Sequence, residues 1–236
     1  MTRKTVVRWL LPALLVLIGV MGGCWLVRSY LSTSSRSVQV MRFIRSPEKY
    51  PSWIQPELIR CQNAPFITPT KGFIGFVWGD SFRPFHHHQG IDIFGGTEPG
   101  VVPVYAVADG FLSREQTWKS GLVLRIPSDP MQPDRQIWVY YTHLADASGE
   151  TTIQADFPPG SSDIPVKQGD LLGYQGDYSG DPQNPVGVHL HISILKDDGQ
   201  GHYMNELLIK NTLDPSPYFG LSLNARHKIS LPLLCD

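Results

Sequence analysis

Hydrophobic residues along this chain form three textures. The first is the nearly unbroken apolar run WLLPALLVLIGVMGGCWLV, Trp9 to Val27, which follows Arg3, Lys4 and Arg8 and meets no charge until Arg28. Its length is about that of a helix crossing a bilayer, so residues 1–28 are expected to be a single membrane-spanning anchor. The second, over residues 29–65, is rich in Ser, Arg and Pro without sustained periodicity, which predicts a tether with short structured pieces around YPSWIQPELI. The third, residues 66–225, carries the short apolar runs GFIGFVW, GIDIF, PVYAVADGFLS, GLVLRI, QIWVYYTHL, DLLGYQG and VGVHLHISIL between Gly, Pro, Asp and Ser clusters. Several of these alternate or concentrate β-branched and aromatic residues, and none holds a long amphipathic helical pattern, so the domain is predicted to be all-β. MNELLI is a candidate short helix, LDPSPYFG closes the domain, and residues 226–236 form a tail. The loops PSDPMQPDRQ and SGETTIQADFPPGSSDIP are long for hairpin connections and are expected to decorate one end and frame a groove.

A cleaved signal peptide is the alternative to an anchor. MGGC has the outline of a lipoprotein cleavage box ending at Cys24, but Met21 suits its first position poorly, and the apolar run continues through Trp25, Leu26 and Val27. An uncleaved anchor fits better. Charge does not orient it, because Arg28, Arg36, Arg42 and Arg45 balance the basic residues on the other side.

Composition changes little. With 20 Lys and Arg against 21 Asp and Glu, net charge gives no footing for nucleic acid or another polyanion. Beyond Cys24 there are only Cys61 and Cys235, which either pair outside the cytoplasm or remain two buried thiols.

The candidate chemistry is in the histidines. In VGVHLHISIL, apolar residues on both sides of HLH predict a strand, so His189 and His191 face one way with Cα atoms roughly 7 Å apart. Taken alone, two strand histidines are an ordinary polar pair. In FHHHQGIDIFGG, His88 and Asp92 would share a strand face but stand roughly 13 Å apart on a straight chain. Gly90 between them supplies the expected kink or close approach. This spacing selects His88 and leaves His86 and His87 at the rim. Two imidazoles and a carboxylate, His88, Asp92 and His191, suit one Zn²⁺ ion with a fourth tetrahedral position left for water. Neither Cys61 nor Cys235 lies near these motifs, and no HExxH helix is present. His189 and His143, the latter on the predicted strand VYYTHL, are candidates for proton transfer and oxyanion stabilisation. His202 and His227 read as surface or structural residues.

In order, HQGID, PVYAVADGFL, YYTHL, VKQGDLLGYQGD and GVHLH resemble the motifs of lysostaphin/LytM-type zinc metallopeptidases over roughly Thr70 to Leu195, and NTLDPSPYFGL resembles a common ending of that family. The resemblance implies an antiparallel two-layer β-sheet of the duplicated hybrid-motif kind with an open groove, and a zinc endopeptidase acting on peptidoglycan peptides. It puts the ligands on His88, Asp92 and His191 and the non-ligand catalytic histidines on His143 and His189. Ile192 and Ser193 depart from the Phe-Glu that follows HxH in many members, the segments around Pro130 and Phe157 are insertions, and GDYSGDPQNP is either an altered groove wall or a polar loop. The expected protein is a membrane-anchored, extracytoplasmic peptidoglycan endopeptidase. The other class is a non-enzymatic module that binds wall or activates another hydrolase.

Overall fold

The computed structural model describes residues 16–24, 36–80, 86–221 and 235. Its strands follow the apolar runs: β1 (Phe73–Ile74), β2 (Ile91–Phe94), β3 (Pro103–Tyr105), β4 (Gly110–Ser113), β5 (Leu122–Ile126), β6 (Ile137–Thr142), β7 (Ile164–Val166), β8 (Leu171–Tyr174), β9 (Leu190–Lys196) and β10 (Thr212–Leu213). The main sheet runs β1-β2-β9-β6-β5-β4-β7, with β10 also paired to β9, and β3 and β8 form a separate pair. All pairings between these strands are antiparallel. Period-two alternation decides which way each side chain faces. Leu190, Ile192 and Ile194 of β9 and Ile137, Val139 and Tyr141 of β6 enter the core, where Val104 of β3 and Leu172 of β8 meet them as the second layer. His191, Ser193 and Leu195 stand on the other face, cross-strand from Thr142, Tyr140 and Trp138. That face holds the site.

The segment expected to be a tether is packed over residues 36–65. Residues 36–45 are helical, and Val40 and Phe43, one turn apart, are buried with Phe73 of β1 and Phe94 of β2 while Ile44 packs beside them. This stripe of three apolar side chains is too short for periodicity to reveal, but it meets a ready aromatic surface. Tyr50 stacks on Trp53 with centroids 4.2 Å apart, and Trp53 lies 5.1 Å from Phe73. Cys61 and Cys235 form a disulfide with Cα atoms 5.2 Å apart, closing a separation of 174 residues. Residues 29–35 and, apart from Cys235, the 226–236 tail lie outside the described residues.

Two other expectations are corrected. MNELLI forms a turn that leads into the 3₁₀ turn Ile209–Asn211, because the Asn205 side chain accepts the Leu207 N–H at 3.0 Å and closes the chain before a helix can start. The PSDPMQPDRQ loop joins the ends of β5 and β6 at Ile126 and Ile137, whereas the site lies at the Leu122–Tyr141 end, roughly 13 Å away along the strands. Asp129 locks this loop, accepting from Arg135 Nε at 2.6 Å and from the Tyr218 hydroxyl at 2.8 Å. Among the described residues no helix is long and apolar enough to cross a membrane. Most of Trp9–Val27 is outside the described set; residues 16–24 within it are helical, with Val16, Leu17, Ile18, Val20 and Met21 exposed.

A candidate metal centre on the open face of the sheet

Antiparallel register sets Asp92 of β2 directly opposite His191 of β9, and Thr142 of β6 opposite His191 on its other side. His88 precedes β2 in a non-strand segment held by the 77–80 turn: its N–H donates to Asp80 O at 2.7 Å, and its carbonyl accepts from Gly79 N at 2.8 Å. Asp80 in turn pairs with Arg36 of the N-terminal helix at 3.2 Å. Gly90 is the close approach that lets the segment fold back, since a Cβ there would lie 2.2 Å from the Ile192 carbonyl oxygen. Gly90→Ala is therefore expected to cost about 3 kcal/mol in denaturant unfolding, with loss of metal binding, because backbone rather than a flexible side chain must move.

Three donor atoms converge. His88 Nε2 is 3.0 Å from Asp92 Oδ1 and 3.0 Å from His191 Nδ1, and His191 Nδ1 is 2.8 Å from Asp92 Oδ1. All three residues are buried, and among the described residues they are the grouping able to hold a metal ion. A tetrahedral Zn²⁺ with bonds of about 2.0–2.1 Å separates its ligand atoms by roughly 3.3 Å, so the triangle is close to the required size. The far ring nitrogens are also engaged. His88 Nδ1–H donates to the Val77 carbonyl at 3.1 Å, and His191 Nε2–H donates to Glu206 Oε1 at 3.0 Å. Such outer partners fix the tautomer and aim the other nitrogen's lone pair at the centre, where a carboxylate oxygen also points. Lone pairs crowded this closely need a cation between them. The donor set fits zinc.

Charge supports the same reading. Burial would raise the Asp92 carboxyl, but His88, His189 and the hydrogen bonds from His191 and His88 outweigh it and hold its pKa well below the usual carboxylate range. Burial would lower His191, yet Asp92 and Glu206 on either side push it up to about 10. Before a metal binds, the centre therefore keeps a proton that the metal must displace. Apparent zinc affinity should rise about tenfold per pH unit from about pH 6 to 8, tested by chelator competition; an affinity independent of pH would show that no such proton is released.

His189 and His143 lie beside this cluster. His189 Nε2 is 3.7 Å from Asp92 Oδ1, its ring stacks on Phe94 at 4.7 Å, and its Nδ1–H donates to Gly187 O at 2.5 Å. His143 Nδ1–H donates to Tyr178 O at 2.7 Å, and its ring centroid is 4.4 Å from that of His189. Both therefore offer Nε2 as the free lone pair. Burial lowers the His189 pKa; burial followed by the charge of His189 lowers that of His143 to about 3. At neutral pH both rings are therefore uncharged. His143 is not in the expected strand, which ends at Thr142. Strict alternation would turn it toward the core beside Tyr141, but its left-handed φ of 70° swings it to the site.

Sequence reasoning did not find Glu206, the carboxylate on His191, which comes from the connection after β9 and has no periodic signal. Ser193, on the same face two residues past His191, occupies the position where the resemblance leads one to expect glutamate. GDYSGDPQNP contributes the Tyr178 carbonyl that holds His143. Of the remaining histidines, His87 is exposed and His86 half-buried, both outside the donor group, His202 pairs with Asp198 at 3.2 Å, and His227 lies outside the described residues.

Neither a family model nor a curated protein matches the chain. Solved structures do. A candidate glycyl-glycine endopeptidase, LytM, from Ruminococcus gnavus is 28% identical over 55% of this chain and 44% of its own, with a TM-score of 0.35. A candidate M23 peptidase from Pseudomonas aeruginosa is 20% identical over 77% and 60%, TM-score 0.37, and a zinc-containing peptidase from Vibrio cholerae is 17% identical over 68% and 39%, TM-score 0.37. The chain thus spans less than two thirds of each of these proteins. The first two are described as LytM and M23 peptidases and the third as a zinc-containing peptidase.

Proposed function

We propose that this chain is a zinc endopeptidase that hydrolyses peptide bonds of peptidoglycan, held at the outer side of a membrane by its N-terminal apolar segment. The observation that carries the proposal is the convergence of His88 Nε2, Asp92 Oδ1 and His191 Nδ1 with both far ring nitrogens engaged. The ordered motifs shared with LytM-type peptidases supply the substrate class. Zinc held by His88, Asp92 and His191 would supply Lewis acidity and make water nucleophilic at neutral pH. The chain's own groups do the rest. Nε2 of His189 or His143 accepts the proton released by the attacking water and, from the imidazolium so formed, returns it to the departing amine. The carbonyls of Gly187 and Tyr178 keep the rings in the tautomer this requires.

The Cys61–Cys235 disulfide supports an oxidising compartment, and so an extracytoplasmic domain. The test is release of new amines from purified peptidoglycan by the full chain loaded with zinc. Cleavage stopped by a chelator and restored by zinc is the expected result. Tight zinc binding with no cleavage of several wall types would replace the peptidase with a wall-binding or activating module.

A further inference from the structure

A slot opens on the site face next to the metal cluster. It encloses about 430 Å³ and is lined by Trp118, Tyr140, Leu195, Tyr203, Asn205, Glu206 and Leu207. Tyr140 and Leu195 form its floor on β6 and β9, Trp118 stands on the β4–β5 connection, and Tyr203 to Leu207 form the wall after β9. Along β9 the order on this face is His191, Ser193, Leu195, so the slot's β9 residue, Leu195, lies roughly 13 Å from the metal ligand, on the side away from His189, with Tyr140 opposite Ser193 between them. Glu206 belongs to both places, holding His191 with one oxygen and lining the slot.

The lining has a definite chemistry. Trp118 lies 5.4 Å from Tyr140 and 5.9 Å from Tyr203, centroid to centroid, inclined at 63° and 51°, so the rings bound a volume instead of stacking shut. The Tyr203 hydroxyl donates to Glu115 Oε1 at 2.7 Å, which pushes electron density into its ring. Carboxylates thus stand at two edges, Glu115 and Glu206. Among the described residues no lysine or arginine lines the slot; Lys119, next to Trp118, points over the Tyr178 ring instead at 5.6 Å. Aromatic faces with carboxylates and no resident cation attract an organic ammonium ion.

We propose that this slot is a specificity subsite for a primary ammonium group, carried on the side chain of a diamino acid next to the bond to be cut. The proposal rests on the peptidase reading for where the substrate lies, but binding can be tested apart from turnover. The zinc-loaded full chain is titrated with three short peptides identical except for lysine, Nε-acetyl-lysine or norleucine at one position, and cleavage of peptidoglycan is scored separately. The lysine peptide should bind about tenfold more tightly than the other two. Trp118→Leu and, separately, Tyr203→Leu should bring the three within about twofold of each other with zinc content unchanged. Equal affinities in the unmodified protein, tighter binding of norleucine, no binding of any peptide at millimolar concentration, or a preference that survives both substitutions would overturn the subsite. A protein that cleaves wall but binds the three alike keeps its proposed function and loses this one. A protein with the preference but no cleavage keeps the subsite and loses the peptidase.

Discussion

Asp92→Asn is expected to lower zinc affinity by at least about 10³-fold and to bring peptidoglycan cleavage to background. The carboxylate touches every other member of the cluster, at 2.8 Å from His191, 3.0 Å from His88 and 3.7 Å from His189. An amide of the same shape loses the charge that balances a divalent cation and turns an N–H toward it or toward an imidazole. Losing an outer partner of a ligand typically costs about 10–100-fold in affinity, and losing a charged ligand costs more. Glu206→Gln supplies that comparison in the same protein: the amide oxygen still accepts from His191 Nε2, so its loss should stay within about 10–100-fold. Both effects are read by competition with a coloured chelator. Equal losses for the two substitutions would place Asp92 outside the coordination sphere.

Substitution of His143 should separate metal binding from turnover. His143→Asn is the informative change, because asparagine tolerates the left-handed backbone that position 143 adopts, whereas alanine would add a strain penalty of about 1 kcal/mol to any chemical effect. Zinc content and thermal midpoint should stay near those of the unmodified chain. The catalytic constant should fall about 10²–10⁴-fold, the usual range for removing a positioned proton-transfer group, with a smaller change in KM. Turnover within threefold of the unmodified protein would show that His189 performs the proton transfers without it.

The sheet was legible wherever side-chain period and residue type agreed. VGVHLHISIL alternates without interruption, and β9 places Leu190, Ile192 and Ile194 in the core and His191 on the open face. GID was informative because Gly90 is demanded by a contact between backbones, a constraint that leaves its mark at one position. Groups set by tertiary contact alone left no such mark. Glu206 reaches His191 from an irregular connection, so nothing within its own neighbourhood distinguishes it from a surface glutamate. The helix over residues 36–45 buries too few side chains to print a period, and only the aromatic surface of Phe73 and Phe94 makes it worthwhile. His143 was found by residue type, but the backbone inversion that turns it to the site depends on where β6 ends.

The distribution of ligands along the chain fixes when a cation can be captured. His88 and Asp92 are four positions apart, whereas His191 is 99 beyond Asp92 and meets it only through pairing of β2 with β9. A nascent or extended polypeptide holds a weak two-donor fragment and nothing more. Full-strength capture waits for that long-distance closure, so metal uptake reports completed pairing of β2 with β9 and cannot precede it.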